Sequence, residues 1–485
     1  MTRSSVVMAA STNEPIPSAP GALPVLGHML RLRRDPLRFL DSFPAGADLV
    51  RFRIGPKPMV MVCDPELAHQ VLSDDRTFDK GGPLIELVKP LVRDGLATCP
   101  RSRHRRYRRL IQPVFDPARF PSYAETLTAA TTAVTDGWRH GDVIDVPVEM
   151  RRIAIHAAVR VLFSGVLGPS AVDQMADDFT AFLIAVAQRV GRPPIFSRLP
   201  TPDNRRFEQA IARIRQTLHE VIADRRAQGG AYDDLLTALL ATNEDGRPEL
   251  TDTVILDHAA TFIAAPTATI ASVMGWVLLM VAQHADIAAR LHTEVDSVLA
   301  AAPAGFTHLS ELKFSRQIVT ETLRMYPSVW IMTRVVTAAT RLGGHFLPAG
   351  TILTYSPYLM GRSPLYDHPD RFDPDRWDDS RPPPPRQAFV PFGKGARQCI
   401  AAQAAPLEMI LVLATIASRW RLEPIPGTPL RPRATVNLTA RGLRMRTLLR
   451  TKPDGTGHPA HPERIAHPGE SAGTRRPTRR KPWLI

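Results

Sequence analysis

Apolar residues recur at helical spacing over most of this chain, and this pattern predicts an α-rich protein. Between about residues 122 and 245 it is typical of several amphipathic helices, which the proline-rich segment 191–206 interrupts. The segment 261–282 contains no charged residue and predicts a long helix that is apolar on every side. At 1.5 Å per residue, the whole helical stretch 251–285 would be roughly 50 Å long.

A helix of this composition could also cross a bilayer. We expect it instead in the core of a soluble protein, because polar residues and a proline interrupt it and no basic cluster marks its orientation. The interrupting residues are Thr261, Pro266, Thr267, Thr269 and Ser272.

Alternating apolar and polar residues are confined to short stretches. They predict two strands around Gly55–Pro56, one strand near 329–336, a hairpin around Pro348–Gly350 and a terminal hairpin within 435–446. We therefore predict a mainly α fold of the α+β class with a minor β-region. We expect it to form one domain over residues 21–450, with disorder in residues 1–20 and in the basic tail 451–485.

Composition limits the classes of function. The formal charge of +14 admits nucleic acid, an anionic membrane or an acidic protein as a partner. The chain has no zinc-ligand spacing, phosphate-binding glycine loop or basic–aromatic interleaving, so we expect no nucleic acid partner. Three cysteines do not make a disulfide framework. The first twenty residues lack the apolar core of a signal peptide or membrane anchor, so we expect a cytoplasmic protein.

The strongest chemical signal is the loop 389–401, which surrounds one cysteine. Gly393 and Gly395 allow the backbone to turn sharply and approach a flat group closely. Arg397 precedes Cys399 by two residues, and a helical pattern follows at once. A helix N-terminus favours a thiolate, and a thiolate held in this way suits an axial iron ligand.

The loop resembles the haem-binding loop of the cytochrome P450 family, Phe-x-x-Gly-x-Arg-x-Cys-x-Gly/Ala. The matching residues are Phe392, Gly395, Arg397, Cys399 and Ala401. The resemblance implies a haem-thiolate monooxygenase that binds haem b, with Cys399 as the iron ligand and Phe392 beside the sulfur. It implies electron transfer from ferredoxin and ferredoxin reductase, because no flavin or iron–sulfur motif is present, and a monomeric protein.

Other residues match the family's binding and structural positions. His104 and Arg108 lie at i, i+4 on one helical face and, with Arg334 and Arg397, are expected to hold the haem propionates. Glu321 and Arg324 match the family's buried Glu-x-x-Arg pair, which we expect Arg376 to join. The resemblance and the apolar pattern also suggest a substrate pocket, with the segment 191–206 as its lid. Its candidate residues are Leu84, Leu87, Leu91, Leu96, Phe262, Ala264, Ala265, Ala268, Val329, Trp330 and Ile331.

The long helix departs from the family's Ala-Gly-x-Asp/Glu-Thr, whose acid and alcohol relay protons. Aligned without gaps, this chain has Thr267 at the acid position and Ala268 at the alcohol position. Pro266 has no N–H, so the Phe262 carbonyl loses its helical partner. We expect that carbonyl to hold a water molecule, which the hydroxyl of Thr267 or Thr269 orients.

The segments 78–84, 104–115, 327–336 and 354–364 resemble bacterial sesquiterpene oxidases, so we predict oxidation of an apolar sesquiterpene with O2. Ala265 stands where fatty-acid peroxygenases of the family carry an arginine, which disfavours that activity. Two alternatives remain at this stage. One is a haem-thiolate isomerase or dehydratase, which needs no acid–alcohol pair, and the other is a haem-bound ligand carrier or sensor.

Overall fold

The computed structural model describes residues 15–164, 167–190, 199–228, 232, 234–241, 249–427 and 430–451. Residues 191–198, half of the predicted lid 191–206, lie outside these residues, and so do the terminal segments 1–14 and 452–485. The described α-helices are α1 Met29–Arg34, α2 Pro36–Asp41, α3 Pro65–Ser73, α4 Pro83–Val92, α5 Arg101–Ile111, α6 Phe120–Thr135, α7 Val146–Phe163, α8 Pro169–Arg189, α9 Pro202–Gln228, α10 Leu235–Leu240, α11 Asp252–Gln283, α12 Ala285–Leu299, α13 Lys313–Met325, α14 Pro357–Met360 and α15 Ala404–Arg419.

The described strands are short and lie in the first and last thirds of the chain. They are β1 Leu49–Ile54, β2 Lys57–Val62, β3 Phe78–Lys80, β4 Val143–Asp145, β5 Met332–Val336, β6 Thr340–Leu342, β7 His345–Leu347, β8 Ile352–Tyr355, β9 Trp420–Pro424, β10 Arg431–Ala434, β11 Leu438–Arg441 and β12 Arg444–Leu449. The predicted α-rich fold with a minor β-region is confirmed.

The apolar helix α11 forms the centre of the fold and packs against α7, α9, α13 and α15. It is long and apolar enough to cross a bilayer, yet 78% of its most apolar window is buried within the protein. Its polar side chains are bonded inside the core: Ser272 Oγ and Trp276 Nε1 donate to the Leu438 carbonyl at 2.6 and 2.9 Å. These bonds join α11 to β11 and account for serine within an otherwise apolar helix.

A five-stranded sheet in the order β1-β2-β8-β5-β3 lies beside the helical core. The β2–β8 pair is parallel and the other pairs are antiparallel. The predicted strands around Gly55–Pro56 are β1 and β2, and Asp64 caps α3 by accepting from the Leu67 N–H at 2.8 Å. The register of β3 on β5 sets Lys80 opposite Arg334.

Both predicted hairpins are wrong. The strands flanking Pro348–Gly350 belong to different sheets, since β7 pairs with β6 whereas β8 pairs with β2 and β5. Likewise β11 pairs with β10, whereas β12 pairs with β4 and β9. A turn sequence indicates where the chain reverses, but distant strands decide which edge each arm joins.

Residues 83–92 form α4, because Pro83 suits a first helical turn and Gly82 adopts φ 92° before it. One further expectation differs from the structure. Part of the segment expected to be disordered is ordered: the Ala19 N–H donates to the Arg51 carbonyl at 2.8 Å, and Ile16 is buried.

Candidate active site

The cysteine loop is closed by its own backbone. The Cys399 N–H donates to the Phe392 carbonyl at 2.9 Å, and Gly393 and Gly395 adopt φ of 67° and 70°. A Cβ atom at Gly395 would lie 2.4 Å from the Leu72 carbonyl oxygen, so this position requires glycine. The cysteine does not begin the following helix as expected, since α15 starts at Ala404.

Cys399 is exposed to an internal cavity of about 400 Å³ that α5, α6, α7, α11, β5 and the cysteine loop enclose. Burial raises the pKa of its thiol, while the Ala401 N–H and the cations Lys80 and Arg108 oppose that rise. Most of the cavity wall is apolar. The predicted site residues that line it are His104, Arg108, Phe262, Ala265, Pro266, Thr269, Val329, Arg334, Phe392, Arg397 and Cys399, and Leu96 lines it as well.

Arg397 is held under the cavity by two neighbours. It donates to Asp79 at 2.7 Å and to the Cys99 carbonyl at 3.0 Å. Its Nε is buried and has no hydrogen-bond acceptor among the described residues, since the Asp75 carboxylate is 3.9 Å away. The sequence did not reveal that Asp79 would pair with this predicted propionate ligand, and only part of the guanidinium remains for another anion.

Lys80 is a cation of this site that the sequence analysis missed. Its Nζ donates to the Ala97 carbonyl at 2.9 Å. Its pKa is lowered to about 7, mainly by burial and further by the positive charges of Arg334 and Arg397. Burial, and then the positive charges of Arg397, Lys80 and Arg108, lower the pKa of His104 to about 3, so this imidazole is neutral at pH 7. The sequence feature that could have indicated this cation is the position of Lys80 directly before Gly81 and Gly82.

This donor set fits the expected haem. The Cys399 thiol at the cavity surface would supply an iron ligand, and the apolar wall suits a porphyrin ring. Five basic residues that line the cavity suit two propionates: Lys80, His104, Arg108, Arg334 and Arg397. The unsatisfied Nε of Arg397 is itself typical of a site for an anion.

The residues of α11 that line the cavity are not all those that the sequence predicted. Thr267 is 0% exposed, lies outside the cavity wall and donates to the Ile263 carbonyl at 2.7 Å. Thr269 lines the cavity and donates to the Ala265 carbonyl at 2.8 Å. Ala264 and Ala268 do not line it. Because Thr269 is the threonine that lines the cavity, we align Ala265-Pro266-Thr267-Ala268-Thr269 with the family pattern. Ala268 then takes the position of the acid and Thr269 that of the alcohol. This alignment starts one residue later than our gap-free alignment.

Four predicted pocket residues line a different space. Leu84, Leu87, Trp330 and Ile331 face a groove of about 2,290 Å³, which α1, α2, β1 and β2 also border. Their neighbours Val329 and Met332 line the cavity instead. Trp330 is fixed there because its Nε1 donates to the Thr435 carbonyl at 2.8 Å. The segment 329–332 thus forms a wall between the cavity and the groove.

The predicted ion pair lies behind the site. Arg324 donates to both carboxylate oxygens of Glu321 at 2.8 Å, and both side chains are 0% exposed. Arg376 approaches Glu321 at 3.5 Å, and Trp377 Nε1 donates to it at 2.8 Å. Arg324 also donates to the Pro369 carbonyl at 2.7 Å. The pair therefore ties α13 to the segment before the cysteine loop.

Comparison with known proteins agrees with this geometry. A family model described as Cytochrome P450 matches residues 17–444. The chain is 39% identical to cyclooctatin synthase of Streptomyces melanosporofaciens over 88% of this chain and 94% of that protein. It is 38% identical to cyclooctat-9-en-7-ol 5-monooxygenase of the same organism, over 85% and 91%. It is also 38% identical to pentalenene oxygenase of Streptomyces avermitilis, over 90% and 97%.

Proposed function

Because this chain belongs to the cytochrome P450 family and is a monooxygenase, we propose that it oxidises an apolar terpene. The observation that carries the substrate class is the cavity face of α11, where Phe262, Ala265 and Pro266 present no charge. The names of the relatives support the same class, since two of them name pentalenene and cyclooctat-9-en-7-ol. We propose a cytoplasmic, monomeric enzyme, and a sesquiterpene is the substrate that the sequence favours.

We further propose that the haem–thiolate cofactor is haem b, with Cys399 as the iron ligand. When bound, this group supplies the redox chemistry of oxygen insertion. His104, Arg108, Arg334 and Lys80 would hold its propionates, while Arg397 shares its charge with Asp79. Phe392 lines the cavity on the cysteine side and would exclude water from the sulfur.

The test of the substrate class uses the purified protein with NADPH, ferredoxin, ferredoxin reductase and labelled O2. We expect pentalenene or cyclooctat-9-en-7-ol to gain one labelled oxygen atom, detected by mass spectrometry, and a fatty acid with hydrogen peroxide to give no product. A rearranged or dehydrated product formed without O2 would establish the isomerase or dehydratase alternative instead. Binding of each terpene without turnover would favour a ligand carrier.

Proton delivery on α11 is the second part of this proposal. Pro266 lacks an N–H, so the Phe262 carbonyl has no i+4 donor on the helix. Thr269 donates to Ala265 and keeps its oxygen lone pairs for a cavity water. We propose that the Phe262 carbonyl and Thr269 hold this water, and that Thr267 has no direct part in it.

Replacing the two threonines separately should distinguish them. Thr269→Val should lower the product formed per NADPH by about tenfold or more, because it removes the oxygen that positions the proposed water, and a positioned proton donor typically contributes a factor of 10²–10⁴. Thr267→Val is the matched control: it removes a hydroxyl bonded within the helix and should leave coupling within about twofold of wild type. Pro266→Ala restores the helical bond and should release more peroxide. Equal coupling in all three variants would contradict the proposed relay.

The exposed face of α5 is the proposed docking site for ferredoxin. Arg101, Arg103 and Arg106 are partly neutralised by acidic neighbours within 3.5 Å. Arg105 and Arg109 are exposed and form no ion pair with any described residue. An acidic ferredoxin would therefore meet uncompensated positive charge on this helix.

The rate of reduction by an acidic ferredoxin should fall as ionic strength rises, because the Debye length is only about 8 Å at physiological salt. Reversing charge in Arg105→Glu/Arg109→Glu should slow this reduction about tenfold at low salt, measured by stopped-flow absorbance. Reduction by dithionite is the control and should be unchanged. A rate that depends on neither salt nor these arginines would place the docking face elsewhere.

A further inference from the structure

The loop between α4 and α5, residues 93–100, carries the acceptors that fix two cations of the cavity. Its Ala97 carbonyl accepts from Lys80 Nζ at 2.9 Å, and its Cys99 carbonyl accepts from Arg397 at 3.0 Å. Lysine and arginine side chains have many rotamers, so a fixed acceptor decides where each charge lies. The position of this α4–α5 loop therefore decides part of the charge distribution at the cavity.

The other side of the α4–α5 loop is bonded to α11. The Asp94 N–H donates to the Asp257 carboxylate, and the Leu96 N–H donates to His258 Nδ1 at 3.1 Å. Burial lowers the pKa of His258 to about 4, so the ring is neutral at pH 7 and its Nδ1 can accept. Gly95 lies so close to α11 that a Cβ atom there would be 2.6 Å from the Asp257 carbonyl oxygen.

The Asp257 carboxylate is held in turn by α9. Arg215 Nη1 lies 2.9 Å from Asp257 Oδ1 and donates to the Leu91 carbonyl, in the last turn of α4, at 2.9 Å. The two charged side chains are 13% and 5% exposed, so solvent screens their attraction little. Asp257 is therefore a fixed acceptor at which α9, α11 and the α4–α5 loop meet.

Asp257 does not line the cavity, so it cannot contact a bound group directly. We propose, on the basis of the haem site proposed above, that Asp257 positions Lys80 and Arg397 through the α4–α5 loop and so sets the reduction potential of the haem. A cation near the propionates favours the reduced haem, because reduction adds one negative charge to it. Lys80 depends most on the loop, since Arg397 is also held by Asp79 at 2.7 Å. Asp257 is a positioning residue, and Arg215 keeps it in place.

The sign of one measurement separates positioning from direct electrostatics. Asp257→Asn removes a negative charge, which by its Coulomb field alone would raise the reduction potential. Positioning predicts the opposite: the equilibrium constant for one-electron reduction should fall about threefold or more, which is about 30 mV at 59 mV per factor of ten. The measurement is a spectroelectrochemical titration of the full chain with its haem bound and no substrate present.

Asp178→Asn is the matched control. Asp178 is also 5% exposed and also pairs with an arginine of α9, but its partner Arg213 joins α9 to α8. This variant should keep the wild-type potential. If Asp257→Asn yields no folded haem protein, the double variant Asp257→Asn/Arg215→Gln leaves no buried charge, and the same fall in potential is expected.

Two further measurements test the route through the loop. Hydrogen–deuterium exchange of the amides in 93–100 should accelerate in Asp257→Asn and not in Asp178→Asn, because the Asp94 N–H loses its charged acceptor. Lys80→Gln should itself lower the equilibrium constant for reduction about threefold or more. Adding Asp257→Asn to Lys80→Gln should then have less than about half of its effect in wild type, since both act through the same cation.

A potential that rises or stays unchanged in Asp257→Asn would overturn the proposal. If Lys80→Gln lowers the potential while Asp257→Asn does not, the propionate site stands and positioning by Asp257 is wrong. If Lys80→Gln also leaves the potential unchanged, Lys80 does not face a propionate, and its assignment to the haem site fails together with this inference.

Discussion

Replacing Cys399 by histidine should abolish both monooxygenase activity and the red-shifted Soret band of the reduced, carbon monoxide-bound protein. That band reports thiolate ligation, and Cys399 is the cysteine whose sulfur lines the cavity. An imidazole can still bind iron, so we expect the variant to retain haem while its spectrum changes to that of a nitrogen-ligated protein. Absorbance spectra before and after carbon monoxide, with haem content from extraction, provide the measurement.

The other two cysteines are the internal controls. Cys63 is half-buried and Cys99 is buried, and Cys99 supports Arg397 through its backbone carbonyl, which a side-chain replacement leaves in place. Cys63→Ser and Cys99→Ala should therefore keep the band and most of the activity. If Cys399→His kept the thiolate band, the iron ligand would have been assigned to the wrong residue.

Breaking the buried pair should have the largest effect on stability. Glu321→Gln leaves the Arg324 guanidinium buried without its counter-charge, which typically costs about 3–5 kcal/mol of the free energy of unfolding. That is a large share of the roughly 5–15 kcal/mol that holds a folded domain. We expect little folded, haem-containing protein, and a urea unfolding midpoint well below that of wild type wherever the variant can be purified.

An exposed pair provides the comparison. Lys89 and Glu86 lie 2.8 Å apart with side chains 39% and 62% exposed. Glu86→Gln should change the free energy of unfolding by less than about 1 kcal/mol, because solvent already screens such pairs. A Glu321→Gln variant as stable as Glu86→Gln would show that the buried pair contributes little to the fold.

The sequence predicted those parts of the site whose geometry is local. The cysteine loop and the Glu321–Arg324 pair each depend on spacing within a few residues, so their motifs could be interpreted directly. The family and the monooxygenase activity are confirmed. The β-sheets were less predictable, because β2 and β8 are far apart in sequence yet pair directly.

The remaining differences at the site arose because the sequence did not show which face of α11 is turned towards the cavity. On α11, Thr267 and Thr269 are two residues apart, and sequence alone did not show which of them faces the cavity. Thr267 bonds inward and Thr269 borders the cavity, which shifted the family alignment by one residue.

The wall formed by residues 329–332 bears on how such an enzyme can diversify. Val329 and Met332 contact the cavity, while Trp330 and Ile331 contact the groove. Substitutions at Val329 and Met332 change the shape of the cavity, whereas substitutions at Trp330 and Ile331 change the groove. Mutational libraries over these four consecutive codons can therefore alter the cavity and the groove separately.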